Sequence, residues 1–485
     1  MIPMSRTTTR LLGTRLLGTR LLGASVLALA LGACTVGPDY VPPPAETRAA
    51  WQGKQSVADF AQIQDWWASF HDRELDSLVA RAIADNLDIR MAEQRIIEAR
   101  AQKDVAAAGY YPSLSASGQG ASAGIPSTLG RLPGGNKVSF LQAGFSASWE
   151  LDLFGKTARS VEAADAGIGA SVEDRRAVLV SLLGELGQDY AGLRAAQLRV
   201  GIAKRNVDAE QVLLDLTRAR QGNGLGSELD VAQAEAQLAT LRAVIPQLET
   251  VIAQQSNAIA VLLGQEPGAL TAELAAPGAL PPAPPVLPAA LPSDVVRNRP
   301  DIREAERRLA SANAQIGVAE AARYPSLTLE PQAALAAGTI HQLFSSTAAL
   351  WVAAASVKQP IFEGGKIDAN VRSAEAATEE ARLGYRKTVL TAFQEVEDTL
   401  VAYEAEQRRH QQLVAAQEAS RRALERATSL YKAGLGDFLN VLEGERSLYA
   451  AEDAVAQSDQ TLTQSTVALY KALGAGWQAG EAKAG

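Results

Sequence analysis

The sequence predicts a mainly α-helical fold, duplicated within one chain, in which long helical hairpins carry four β-strands of transmembrane-barrel type. Three observations predict it. Short peptides recur at a constant spacing, long proline-free stretches carry an apolar heptad, and the segments between them alternate apolar and polar residues.

The repeat fixes the architecture. YPSL stands at 111–114 and again at 324–327, and DIR at 88–90 and 301–303, an offset of 213 each time. Further on, Phe154 and Lys156 recur as Phe362 with Gly364 and Lys366. LGSELDV (225–231) recurs as LGDFLNV (435–441), and Leu263-Gly264 as Leu473-Gly474, where the offset settles at 210. A register held over more than a hundred residues marks residues 80–264 and 293–474 as duplicated units. Between them AAPGALPPAPPVLPAALPSD (275–294) is too rich in proline for a helix or a sheet ladder, and predicts an extended connector. The domain reading is a leader (1–33), an extended N-terminal segment (34–73), a first repeat (74–274), the connector (275–292), a second repeat (293–474) and a tail (475–485).

Each element follows from local pattern. Thr157 to Gln221 has no proline, and Leu179, Leu186, Leu193, Val200, Val207 and Leu214 fall seven apart, one stripe of a coiled-coil helix. At 1.5 Å per residue such a helix is about 100 Å long. GNGLGS (222–227) turns the chain. Glu228 to Leu263 and Ser293 to Arg323 are shorter helical runs, whose summed length suggests that they stack end to end beside the long helix. The second unit repeats this with Lys366 to Lys432, the turn AGLGD (433–437) and Phe438 to Leu473, while Glu74 to Gly109 supplies its other short helix. Pro246 predicts a kink.

Between helices the period changes to two. Leu141, Ala143, Phe145, Ala147, Trp149, Leu151 and Leu153 make one apolar face against Gln142, Gly144, Ser146, Ser148, Glu150 and Asp152. That pattern suits a strand with lipid on one side and water on the other, and equally a soluble sheet packed on a core. Trp351, Ala353, Ala355 and Val357 repeat it more weakly, and the segments after Pro112 and Pro325 read as partner strands. Four strands cannot close a barrel, and an open edge is not viable in lipid, so several chains must share one.

Residues 1–33 are an export leader. Arg6, Arg10, Arg15 and Arg20 form a basic start, enlarged by repeated LLGTR units, and Leu21 to Ala33 an apolar stretch too short to span a bilayer comfortably. Cys34 follows in ALALGAC and is the only cysteine of 485 residues. Cleavage before it exposes a thiol and an amine for acylation, so Cys34 is the expected lipid attachment point, carrying S-diacylglycerol and an N-acyl chain such as palmitate. Thr35 stands where bacterial lipoproteins retained at the inner membrane carry Asp, which favours sorting to the outer membrane of a Gram-negative cell.

Composition narrows the chemistry. A single cysteine leaves no internal disulfide and no cysteine-type metal site, and His71, His341 and His410 are scattered. No Walker loop, HExxH or CxxC occurs, so nothing nominates an enzyme, and no cofactor or metal is expected. Without its leader the chain carries a net charge of −12, unsuited to nucleic acid.

CTVGPDYVPP (34–43), WWASFHDRELDSLVARAIADNLDIR (66–90), RPDIREAERRLASANAQIGVAEAARYPSLTL (299–329) and IFEGGKIDAN (361–370) resemble the signatures of the outer-membrane efflux lipoproteins, the TolC-like channels of the NodT and OprM type. The resemblance covers essentially the whole mature chain. It implies a homotrimer with a 12-stranded barrel in the outer membrane and a periplasmic α-barrel. It also implies a periplasmic adaptor and an inner-membrane pump of the resistance-nodulation-division (RND) class as partners. The implied function is passive conduction of what the pump exports, with the cargo left open. A channel for type I protein secretion and a purely structural coiled-coil envelope lipoprotein are the alternatives.

In similar channels, carboxylates just after the Gly-rich turns line the closed constriction. The matching residues are Asp230, Asn440 and Glu443, Asn440 departing from an acidic residue of some relatives. Rings of Asp230 and Glu443 would favour cations; as plain helix-start acids they would only face a positive helix end. Gly224, Leu225, Gly226 and Ser227, with Gly434, Leu435, Gly436 and Asp437, are the candidate adaptor-docking tips, where glycine also serves the turn itself.

Overall fold

A computed structural model describes residues 35–44, 49–51, 56–57, 60–124, 126, 128, 137–284 and 288–481. It comprises two compact units, each drawing on both halves of the chain. One holds residues 96–170 and 305–384 with the N-terminal segment to Pro43; the other holds 44–95, 171–304 and 385–485.

The first unit is centred on a sheet of four antiparallel strands in sequence order: β1 (Ser113–Gly124), β2 (Lys137–Leu151), β3 (Ser326–Ala337) and β4 (Ala349–Lys358). The register aligns the alternation across all four. Ala116 lies opposite Phe145, Phe145 opposite Ala333, and Ala333 opposite Trp351. One face therefore collects Leu114, Phe145, Trp149, Leu327, Leu329, Leu335, Trp351 and Val357, and Phe145 and Trp351 are exposed on it. The opposite face pairs Ser115 with Ser146 (Oγ to Oγ 2.9 Å) and Gln119 with Gln142 (3.0 Å). β1 and β4 are edges, with no strand on their outer sides among the described residues.

The predicted helices form with nearly the predicted bounds. They are α1 (Arg73–Asp85), α2 (Leu87–Ala107), α3 (Lys156–Gly222), α4 (Glu228–Leu262), α5 (Pro292–Asn298), α6 (Pro300–Ala321), α7 (Lys366–Lys432) and α8 (Phe438–Ala472). Leu179, Leu186, Leu193 and Leu214 of the heptad are buried, and α4 runs unbroken through Pro246. None of the described helices is long and apolar enough to cross a membrane.

Three expectations are corrected. The runs 74–109 and 293–323 are each two helices, broken at Asn86 and Arg299, which stand 213 apart like the DIR peptides after them. At the first break the Asn86 Oδ1 accepts from the N–H groups of Asp88 and Ile89, starting α2; at the second, Pro300 opens α6 with its ring preset for a first turn.

The stacking partners are also exchanged. Asn86 Nδ2 donates to Leu262 O at 2.9 Å, so the C-terminus of α4 abuts the start of α2, not the helices after the connector. In the same way Arg299 Nη1 donates to Ala472 O at 2.6 Å, joining α8 to α6. The physical reason is at the helix ends, whose last carbonyls need donors, and the Asn86 and Arg299 side chains supply them.

The connector is not wholly free of a ladder. Pro288–Ala289 pairs in parallel with Ser56–Val57, and Trp51 Nε1 donates to Ala290 O at 2.7 Å. Earlier in the connector, the Thr463 hydroxyl donates to Pro281 O at 2.8 Å, strapping it onto α8. Before α1 the chain makes short 3-10 turns, Phe60–Ile63 and Trp66–Phe70, and Trp66 stacks on Tyr470 at 5.4 Å. The tail is held too, with Trp477 buried beneath the guanidinium groups of Arg176 and Arg303.

Candidate functional site

The two tips are one backbone motif used twice. Leu225 N–H donates to Arg220 O (2.8 Å) and Gly224 N–H to Gln221 O (2.9 Å); at the second tip Leu435 N–H donates to Leu430 O (2.9 Å) and Gly434 N–H to Tyr431 O (3.0 Å). These are Schellman caps, which place their glycine in the left-handed region; φ is +71° at Gly224 and +73° at Gly434. The cap turns the following leucine outward, and Leu225 and Leu435 are both strongly exposed.

Beyond the turns the chemistry diverges. Ser227 caps α4 in a reciprocal box: its hydroxyl accepts from Asp230 N–H (3.1 Å) while the Asp230 carboxylate accepts from Ser227 N–H (3.1 Å). Asp230 is thus half-buried and occupied by the helix start. Asp437, at the Ser227 position, makes no side-chain cap; Asn440 and Glu443 are exposed on α8. Phe438 instead turns inward, joining Val441 and Leu442 in an apolar cluster with Leu213, Leu214, Ala234, Leu238 and Tyr431. That cluster takes residues from α3, α4, α7 and α8, so it joins the two hairpins.

Few polar links cross this joint. Arg220 donates to Tyr431 O at 3.0 Å with its guanidinium 4.6 Å from the Tyr431 ring, and Arg446 Nε donates to Gln237 Oε1 at 2.9 Å. Higher up, Arg199 forks onto Asp453 at 2.6 and 3.1 Å. A further pair, Glu210 of α3 and Glu445 of α8, meets inside the joint with both side chains buried. Sequence reading missed this pair. Only the heptad registers of α3 and α8 taken together would have indicated it, because each glutamate alone reads as an ordinary helix-surface acid.

Cys34 lies outside the described residues, but the chain right after it is held firmly. Val36 N–H donates to Phe154 O (3.2 Å), and the buried Arg159 donates to Val36 O (3.0 Å), Gly37 O (3.1 Å) and Asp39 (2.8 Å). Gly37, at φ +89°, lies against Gly317 so closely that a Cβ would come within 2.5 Å of its Cα. The N-terminal segment is thereby fixed at the end of β2 where α3 begins.

At that same rim Phe154 stacks on Tyr324 with centroids 4.7 Å apart. Their repeat counterparts are Phe362 and Tyr111. Those two follow β4 and precede β1, the edge strands, and are 89% and 71% exposed.

Among known proteins, the family model described as "outer membrane efflux protein" matches residues 78–265 and 291–475. The probable efflux pump outer membrane protein TtgC of Pseudomonas putida is 33% identical over 464 residues, 93% of this chain and 95% of that protein. The solved outer-membrane channel OprN is similar with a TM-score of 0.83 and 36% identity, covering 92% of this chain and all of that one. The open state of the Neisseria gonorrhoeae MtrE outer membrane channel gives 0.78 and 32%, covering 92% and 99%.

Proposed function

The chain belongs to the outer membrane efflux protein family, and on that premise we propose how this outer-membrane efflux channel is assembled and closed. Three copies share one barrel. The observation that carries this is the sheet: one face collects the large apolar side chains, the other carries the Ser and Gln pairs, and among the described residues both edges lack an outer partner, an arrangement lipid does not tolerate unless the edges meet other copies. Twelve strands leave a lumen wide enough for passage. The repeat supports the way the edges meet. Within a chain the β2–β3 junction is sealed by Phe154 on Tyr324; between chains the β4–β1 junction is sealed by Phe362 of one copy on Tyr111 of the next.

The channel itself does no chemistry. An inner-membrane pump of the RND class supplies the energy, a periplasmic adaptor contacts the exposed tips around Leu225 and Leu435, and the duct conducts. Asp230, Asn440 and Glu443 lie just behind those tips, where three copies would encircle the axis in the closed state. Lipid on Cys34 anchors the segment that Arg159 clamps to the rim.

The test is a cross-link in the full-length protein. Tyr111→Cys with Phe362→Cys should give covalent dimers and trimers on mild oxidation, while either variant alone gives none, since an acylated Cys34 offers no thiol. A purified double variant that stays monomeric on a denaturing gel, or a monomer that conducts ions in a planar bilayer, overturns the shared barrel. Mass spectrometry of the same sample should find the mature chain starting at a lipid-modified Cys34; an unmodified cysteine removes the anchor and leaves the barrel standing.

A further inference from the structure

Glu210 and Glu445 are the least explicable polar groups of the helical region. Their relative exposures are 0% and 5%, and Glu210 Oε1, Glu210 Oε2 and Glu445 Oε2 receive no hydrogen bond from any other residue. Two buried ionised carboxylates facing each other would repel in a medium of low dielectric. A proton held between them turns the same contact into a hydrogen bond.

The surroundings favour one negative charge and not two. From α8, Arg446 acts on Glu210, while its Nε is committed to Gln237 of α4. Tyr449, also on α8, feels both glutamates, and its phenol is pushed up by burial and then by their charge. Glu452 lies further along α8, paired with Arg421 of α7 at 3.3 Å. On α3 the neighbours toward the tip are Leu213 and Leu214. Among the described residues, Arg446 is the cation that acts on this pair of acids. Burial, then the hydrogen bond and charge of Glu210, push Glu445 up to about 9; burial raises Glu210 as well.

The pair sits between α3 of the first hairpin and α8 of the second, about two turns into α8 and more than three turns before the end of α3, beside the apolar cluster that joins the hairpins. We propose that Glu210 and Glu445 form a shared-proton latch between the two hairpins, and that loss of this proton loosens the joint and favours opening of the tip end. The latch rests on the duct reading for its consequence and not for its existence.

The direction follows from linkage. A separated, solvated Glu445 titrates near its ordinary 4.5, whereas the closed joint holds the proton to about 9. Between those limits the closed form binds one proton more than the open form, so raising the pH favours opening, by up to about tenfold in the equilibrium per pH unit. Below the ordinary carboxylate range the latch is fully engaged, and it is lost as pH rises toward the raised value of Glu445, about 9. Glu445→Gln keeps a neutral, hydrogen-bonding group of the same shape at every pH.

Two readouts on purified full-length protein separate the latch from the duct. The first is amide exchange across residues 205–217 and 438–450, corrected for intrinsic rates, from pH 6 to 9. Wild-type protection should fall with pH while Glu445→Gln stays flat, and infrared difference spectra should lose a protonated carboxyl band at pH 7 in that variant. Glu210→Gln provides the second neutral form if Glu445→Gln assembles poorly. The second readout is open probability in planar bilayers, rising with pH in the wild type and unresponsive in the variant. Absence of the carboxyl band, or pH dependence of protection unchanged by either glutamine, overturns the latch. PH-dependent protection with no conductance at all would instead sink the duct reading and leave the latch in place.

Discussion

The two hairpin turns share a backbone and differ in almost everything attached to it. Both close with the same Schellman bonds and a left-handed glycine, and both push a leucine into solvent. In the first turn the helix start is self-sufficient, because Ser227 and Asp230 satisfy each other's backbone donors. In the second, Asp437 caps nothing and the helix is held from inside by Phe438. Seven residues further the divergence repeats: Glu235 is exposed and paired to Arg218 at 2.7 Å, whereas its counterpart Glu445 is buried against Glu210. Duplication thus preserved what turns the chain, and the side chains decide how each hairpin is secured. One hairpin is stabilised locally and the other by its neighbour, which makes the second the one whose position depends on the joint.

The largest effect should come from the shared feature. Leu225→Asp and Leu435→Asp each place a charge on an exposed apolar tip, and either should abolish capture of the adaptor by the assembled channel. Trimer content and conductance should stay unchanged. If only one does so, the tips are unequal in docking as well as in capping; if neither does, the adaptor docks elsewhere.

A smaller effect tests the caps. Ser227→Ala should cost about 1 kcal/mol and speed amide exchange in the first turn of α4. Asp437→Ala should cost almost nothing in α8, since no side-chain bond is lost. Equal costs would show that the second turn carries a cap the comparison denies it.

The smallest effect on stability, within about 0.5 kcal/mol, is expected from charge alone. Asn440→Asp adds a carboxylate where the first turn has Asp230, and should strengthen cation selectivity in reversal-potential measurements. Asp230→Asn with Glu443→Gln should weaken it. Asparagine still accepts from Ser227 N–H, so this pair of changes separates the charge from the cap. An unchanged reversal potential in both variants would leave Asp230 as a capping residue and Glu443 as a solvated one.

Much of this was legible in the sequence because it is local or periodic. Helix bounds follow from proline-free heptads and Gly-rich stops, since a helix is decided within a few residues of each bond. Two strands follow from a period of two and the other two as their partners, and the duplication follows from offsets of 213 and 210. The candidate gate and tip residues were legible as positions after a turn. That Asp230 spends its carboxylate on Ser227 was foreshadowed only by the S-x-x-D spacing.

What the tertiary structure alone decided is who meets whom. Nothing in the runs 74–109 and 293–323 says that Asn86 reaches the end of α4 or that Arg299 reaches the end of α8, because those contacts close loops of more than 170 residues. The same holds for Glu210 and Glu445, 235 positions apart. A carboxylate's burial is set by the helix packed over it, and Glu235 and Glu445 occupy one place in the repeat with opposite fates. Local physics is carried by neighbouring residues and repeats when the sequence repeats, whereas desolvation and pairing depend on distant elements brought together, and that is where the two halves of this chain diverge.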